Sequence, residues 1–138
     1  CIVYSVEYKV ALYGGACHLS VWDNTLKKIK SYHLKASAPG RGDALIGTEV
    51  VNEAIECTRY FVESTYRPVV NIASKNGTLK EAWDLVRSEC DHKFSDYAIY
   101  EHCLPFNVSR AFDEARGIDH PRIWTAQRDL EMWAELQG

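Results

Sequence analysis

The sequence predicts a single α/β domain in which three antiparallel strands precede helices that alternate with short strands in a mixed sheet. Two observations support this prediction. Extended, turn-separated segments fill residues 2–36, and apolar residues at helical spacing alternate with short apolar runs after that. A chain of 138 residues, 46% hydrophobic and 25% charged, is long enough to bury one core, so residues 1–138 are expected to form one domain.

The three strands are predicted at the beginning of the chain. Residues 2–7 form the first strand, and residues 11–22 form the second, where a pair of glycines permits a bulge. The turn at 23–25 has the Asp-Asn-Thr chemistry of a hairpin, so residues 26–36 return as the third strand. Neither face of this third strand is apolar throughout, which is typical of an exposed edge.

Helices are predicted where capping residues precede apolar residues at helical spacing. Thr48 is expected to cap a helix over 49–63, and Thr78 a second helix over 79–90. Pro68 is expected to end the first of these units, so that residues 69–73 form a short strand.

The last third of the chain continues the alternation. Residues 97–100 read as a buried strand, and a helix is expected over 108–116. A final helix over 125–136 has Leu130, Trp133 and Leu136 as its apolar side. Three antiparallel strands followed by this alternation form the layout of the ribonuclease H-like α/β fold.

Composition narrows the function classes. The net charge of −3 argues against a protein that coats nucleic acid non-specifically, because such affinity comes from clustered Lys and Arg. The lysines at positions 27, 28, 30 and 35 are interpreted as protection of an exposed strand edge. No apolar run approaches the roughly 20 residues of a membrane span, so no membrane partner is expected.

The cysteines bear on location. Five cysteines are an odd number without framework spacing, which favours reduced thiols and a cytoplasmic protein. Because the chain begins at Cys1 rather than Met, we expect that the natural protein has residues before it.

Short motifs in the last third point to a nuclease family. Phe106-Asn107 opens a predicted helix, and Arg128-Asp129 follows a segment that contains Pro121 and Trp124. This order resembles the DEDD-type 3′–5′ exonucleases, above all the phage exonuclease A and exonuclease VIII type. In that family a Phe-Asp pair opens the helix and an Arg-Asp pair follows a Pro/aromatic segment.

The resemblance implies a site for two divalent ions, Mg²⁺ or Mn²⁺, that would cleave a terminal phosphodiester. Ser5-Val6-Glu7 would replace the family's Asp-x-Glu, so Glu7, Ser5 and Asn107 would be the metal ligands. Glu7 and Asp129 would be the catalytic carboxylates. Since neutral Ser and Asn oxygens substitute poorly for carboxylates, the predicted site is incomplete. The final His and Asp of the family pattern would lie beyond Gly138.

The same resemblance suggests substrate contacts by His120, Trp124 and Arg128. The function it implies is a degenerate exonuclease-like domain that binds single-stranded nucleic-acid ends or a partner protein, with weak or absent cleavage. One alternative is an active metal-dependent 3′–5′ exonuclease. A second alternative is a protein-interaction or assembly scaffold that binds no nucleic acid.

Three explanations of Ser5 and Asn107 stay open. The chain is a natural pseudo-nuclease, or it carries inactivating substitutions, or the alignment with the family is wrong. In the last case Glu101 and Asp113 are the candidate acids, and Glu7, Glu49 and Asp113 would form the cluster, as in ribonuclease H itself.

Overall fold

The computed structural model describes residues 9–138 and shows a helical bundle. That part of the chain contains five helices and one small sheet. In chain order they are α1 (Leu19–Lys30), β1 (Ala36–Ser37), β2 (Leu45–Ile46), α2 (Thr48–Ser74), α3 (Leu79–Phe94), α4 (Tyr100–Ala115) and α5 (Ala126–Gln137). The longest helix, α2, packs against α1, α3 and α4, while α5 packs against α3 and α4. None of the helices in residues 9–138 combines the length and the hydropathy that crossing a membrane requires.

The prediction of a ribonuclease H-like fold with a mixed sheet is wrong. In residues 9–138 the only sheet is the antiparallel pair of β1 and β2, each two residues long. A single parallel bridge between Val10 and Ala98 lies outside it. The strand predicted over 2–7 lies outside the described residues.

The second and third predicted strands are wrong because residues 19–30 form α1. Leu19, Trp22 and Leu26 recur at helical spacing, and all three are buried. The first turn is stabilised from α4, where the carboxylate of Glu114 accepts hydrogen bonds from the N–H groups of Leu19 and Ser20. A carboxylate at this end of a helix also interacts favourably with the helix dipole. The burial of one helical stripe, together with the cap from Glu114, therefore favours a helix over the strands that the local sequence pattern predicts.

The predicted break at Pro68 and the strand over 69–73 are also wrong, because α2 continues through both. A proline within a helix leaves the carbonyl four residues earlier without its usual N–H donor. That carbonyl belongs to Ser64, and the thiol of Cys90 on α3 donates to it over 3.5 Å. Val69, the next residue, is fully buried. Packing against α3 thus compensates for the proline.

Three predicted helices are confirmed. The one over 49–63 lies within α2, but the capping position is held by Gly47 and not by Thr48, which is the first residue of the helix. The helix predicted over 79–90 is α3, and Thr78 caps it in a reciprocal arrangement with Glu81, each side chain accepting from the other residue's N–H. The helix predicted over 125–136 is α5, in which Thr125 accepts a hydrogen bond from the N–H of Arg128.

The strand predicted over 97–100 is wrong, since α4 begins at Tyr100 and includes the predicted helix over 108–116 up to Ala115. Tyr100 is buried, and its hydroxyl donates to Asp91 on α3 over 2.8 Å. Almost every residue of α4 from Cys103 to Asp113 is buried. This helix therefore lies inside the bundle, and its polar residues must find partners there.

Candidate functional site

The residues that the exonuclease resemblance singles out lie on different elements where the structure describes them. Ser5 and Glu7 lie outside the described residues. Asn107 is buried in the second turn of α4, and Asp129 lies in the first turn of α5. His120 is 91% exposed in the segment between α4 and α5. The structure shows no direct contact between these three side chains within residues 9–138.

Asn107 is fully engaged with the backbone of the segment before α1. Its side-chain oxygen accepts the N–H of Gly14, and its side-chain nitrogen donates to the carbonyl of Leu12 over 2.9 Å. An aspartate could accept the first hydrogen bond but, when ionised, could not donate the second. The amide is therefore the side chain that this position requires, independently of any metal.

Trp124 and Arg128 lie beside the segment around Gly14 and Gly15, which Asn107 also binds. The indole N–H of Trp124 donates to the carbonyl of Gly15 over 3.2 Å, and its ring packs edge-on against Phe106. The guanidinium of Arg128 lies 5.2 Å from the centre of the Trp124 ring. A Cβ at Gly15 would come 2.7 Å from the Tyr13 hydroxyl and 3.0 Å from Cβ of Phe106, so a larger residue would have to displace these side chains. The structure thus brings Asn107, Trp124 and Arg128 together, as parts of one packed turn.

Arg110, which the sequence analysis did not select, is the most connected polar residue of α4. Its side chain is 1% exposed and donates to the carbonyls of Cys17, Ile118 and Asp119. It also pairs with Glu114 at 3.2 Å. Because a buried guanidinium needs several acceptors, these contacts fix the chain segments on both sides of α4. An arginine on an otherwise buried helix is the signal that could have identified it.

Asp113, Arg122 in the segment before α5 and Arg128 on α5 form a second group of charged residues. Arg122 donates to both carboxylate oxygens of Asp113, and this hydrogen bonding is the main cause of a raised pKa for Arg122. Arg128 donates to the hydroxyl of Ser109 over 2.9 Å. In residues 9–138, the buried side-chain atoms without a hydrogen-bond partner are Nε of Arg128 and Oδ1 of Asp129.

The alternative acids are also separated by their partners. Glu101 pairs with Arg87, Asp113 pairs with Arg122, and Glu49 is exposed at the beginning of α2. Over the described range, no three His, Cys, Asp or Glu side chains are close enough together to hold a metal ion. Glu101 and Asp113 therefore hold neighbouring parts of the chain together and do not converge on one site.

The lysines do not form the edge that the sequence predicts, since three of them lie on α1. Lys27 pairs with Asp23, and Lys30 pairs with Glu56 of α2. Arg59 donates to both acids. Burial lowers the pKa of Arg59, but the hydrogen bonds that it donates to Asp23 and Glu56 outweigh this effect, so the pKa is raised. This part of the surface is therefore an ion-pair network between α1 and α2, with much of its positive charge neutralised.

The cysteines have the properties of packed thiols. Burial raises the pKa of Cys17 to about 12 and that of Cys90 to about 12. Since the thiolate is the nucleophilic form, these two thiols are unreactive at neutral pH.

A cleft of about 610 Å³ lies where the end of α2, the beginning of α3 and the ends of α4 and α5 meet. Its charged lining residues have both signs: Lys80, Glu81, Asp84, Arg116 and Glu135. Lys80 pairs with Asp84, and Arg116 stacks on Phe112. Both cations are therefore engaged within the chain, and the mixed signs favour no particular class of ligand.

The remaining feature is the side of α5 that points away from the bundle. The helix buries Arg128, Met132 and Leu136, which follow one another at intervals of four residues. The opposite side, here termed the outward face of α5, carries only uncharged side chains: Ala126, Gln127, Leu130, Trp133, Ala134 and Gln137. Leu130 is 66% exposed and Trp133 is 39% exposed.

The sequence prediction for α5 is right about the helix and wrong about which apolar residues are buried. It placed Leu130, Trp133 and Leu136 on one apolar side, whereas only Leu136 is buried. The sequence does contain a signal that separates the buried side of α5 from the outward face, namely two apolar stripes. Leu130 and Met132 lie about 160° apart around the helix at roughly 100° per residue, so they cannot belong to the same stripe.

No known protein family matches this sequence, and no curated protein matches it. The chain's function therefore has to be inferred from its own contacts.

Proposed function

We propose that this chain is a helical protein-interaction domain and that the outward face of α5 is where its partner protein binds. The observation that carries the proposal is the exposure of Leu130 and Trp133 on a helix face without a charged residue. Surface helices usually carry charged residues on the side opposite the core. A helix with apolar residues on its outward face as well as on its core side is typical of a helix that is covered on both sides.

The magnitudes suit binding. Burying a leucine side chain contributes about 1.5–3 kcal/mol, and tryptophan is among the residues that most often dominate binding energy at interfaces. One exposed leucine by itself would need no explanation. Here Leu130 lies one turn from Trp133, and Ala126 and Ala134 extend the same stripe along the helix.

The polar residues elsewhere support this choice over catalysis. Of the predicted site, the amide of Asn107 is bound to backbone groups, and the guanidinium of Arg128 donates to Ser109 and lies against Trp124. The exonuclease-like function, its Mg²⁺ or Mn²⁺ ions and its binding of single-stranded ends stay predictions, for which no contact in residues 9–138 provides support.

The proposal is tested with a fluorescein-labelled amphipathic helical peptide that has a Leu/Ala face flanked by glutamines, with helicity held by a hydrocarbon staple. We expect saturable binding by fluorescence anisotropy and at least a tenfold loss of affinity in Leu130→Lys. Val21→Lys is the matched control, because Val21 is a 54% exposed apolar residue on α1.

Equal losses in the two variants, or no saturable binding to this peptide or to its charged counterparts, would refute the proposal. The untouched chain is also mixed with Mn²⁺ and a 5′-labelled single strand. Stepwise shortening of the strand would favour the exonuclease prediction instead.

A further inference from the structure

The charges at the margins of the outward face of α5 have one sign. At about 100° per residue, Glu131 and Glu135 lie along one side of the uncharged stripe and Asp129 lies along the other. Glu131 and Glu135 are exposed, and Asp129 is half-buried. The α5 stripe therefore has acidic margins on both sides.

The nearby cations cancel these acids only in part. Arg128 is 7% exposed, stacks on Trp124 and donates to Ser109, so its charge lies inside the bundle. Arg122 donates to both oxygens of Asp113, but its side chain is 43% exposed and its charge also acts on Glu131 and Glu135. When the charged residues of the adjoining cleft are counted as well, carboxylates at positions 81, 84, 113, 129, 131 and 135 oppose cations at positions 80, 116, 122 and 128. The region is negative.

This charge pattern discriminates among the occupants that could cover an apolar helix face. In a second copy of the chain, a parallel or an antiparallel α5 pair would place acid against acid at both margins. Helices that bind anionic membrane surfaces carry Lys and Arg on their polar sides, the reverse of this pattern. Residues 1–8 of this chain contain Glu7 and neither Lys nor Arg.

We infer that the partner presents an amphipathic helix whose apolar stripe is flanked by lysine or arginine. This inference rests on the proposed function of the outward face of α5 and names the chemistry of its partner. Leu130 and Trp133 would pack into the apolar stripe of that helix, while Glu131, Glu135 and Asp129 would face its basic margins. Ala126 and Ala134 are small enough to let the two helix backbones approach closely.

The expected selectivity follows from the size of exposed ion pairs. Each such pair contributes about 0.2–1 kcal/mol, so two or three pairs give up to about a tenfold difference in affinity. Apolar contact supplies most of the affinity and charge supplies the discrimination, as is common at interfaces.

The test uses three stapled peptides that share one Leu/Ala face and differ in their flanks, which are lysine, glutamine or glutamate. We expect affinity for the chain to fall in that order, with about tenfold between the lysine and glutamate peptides in low salt. The difference should shrink as salt is added, because exposed charges are screened. The double variant Glu131→Gln/Glu135→Gln should lose most of it, while the exposed Glu89→Gln on α3 should keep it.

The outcomes separate this inference from the function on which it rests. Equal affinity for all three peptides, lost in Leu130→Lys, would overturn the basic partner and leave the docking face intact. No binding to any peptide would overturn both. Concentration-dependent dimerisation in sedimentation that Leu130→Lys abolishes would assign the face to a second copy, and co-sedimentation with anionic vesicles would assign it to a membrane surface. Either result would overturn the inference.

Discussion

The central helix α4 and the outward face of α5 distribute polar and apolar side chains in opposite ways. In α4, polar residues such as Asn107, Arg110 and Asp113 are buried, and each is bound to a backbone group or to an opposite charge. In α5, Leu130 and Trp133 are exposed on a face without charge. The buried polar residues of α4, which resemble catalytic residues, therefore stabilise the fold. Leu130 and Trp133, which resemble core residues, are available for binding.

The largest effect expected from this comparison is on Arg110. Replacing it by methionine would leave Glu114 as a buried charge without its pair and three carbonyls without a donor. We expect Arg110→Met to lower the free energy of unfolding by about 3–5 kcal/mol in urea titrations. The matched variant Arg67→Met breaks an exposed pair with Glu63 and should cost less than about 0.5 kcal/mol. Similar losses in both would contradict the structural role of Arg110.

A second pair of variants compares the two sides of α5. Met132 is fully buried, so Met132→Ala should lower the free energy of unfolding by about 2–5 kcal/mol through lost packing. Leu130→Ala removes a similar amount of apolar surface from the outward face of α5 and should change stability by less than about 0.5 kcal/mol. Chemical denaturation of the two variants measures both. A large loss in Leu130→Ala would mean that Leu130 belongs to the core.

The third prediction concerns Asn107. Asn107→Asp would lose the donor to the Leu12 carbonyl and place two oxygens against each other. We expect a loss of about 1–3 kcal/mol in the free energy of unfolding. The exonuclease resemblance predicts instead that Ser5→Asp/Asn107→Asp creates metal ligands. Unfolding with and without Mn²⁺ distinguishes the two, because restored stability in Mn²⁺ would support the metal site and contradict the role assigned here.

The smallest expected effect is on pH dependence. A hydrogen bond from Lys27, helped by Arg59, lowers the pKa of Asp23 below its usual 3.8. A carboxyl whose folded pKa is depressed stabilises the fold at neutral pH, and this contribution is lost as the pH falls through the folded value. Asp23→Asn should therefore flatten the decline in stability below about pH 4, by less than about 1 kcal/mol. Parallel declines in wild type and variant would exclude this contribution.

The sequence correctly predicts those helices for which a capping residue and the spacing of apolar residues indicate the same beginning. Thr78 with Glu81 marks the beginning of α3, and the periodic apolar residues of α5 mark that helix. The predicted strands are wrong where a tertiary contact decides the outcome. Glu114 caps α1 from nearly a hundred residues away in sequence, and Cys90 satisfies the carbonyl that Pro68 leaves open. Neither contact can be read from local propensity.

The candidate site shows the same limit. Asn107 and Arg128 were selected in the sequence because they fit a motif. Spacing alone cannot show that Asn107 donates to a backbone carbonyl and that Arg128 donates to the hydroxyl of Ser109. Leu130 was correctly placed on a helix, but only the burial of Met132 shows that it faces outward.

The most direct test of the account measures stability and binding on one preparation of Leu130→Lys. The account predicts a free energy of unfolding within about 0.5 kcal/mol of wild type, together with at least a tenfold weaker affinity for the lysine-flanked peptide. A variant that unfolds more easily, or that binds the peptide as tightly as wild type, would contradict the assignment of the outward face of α5 to binding.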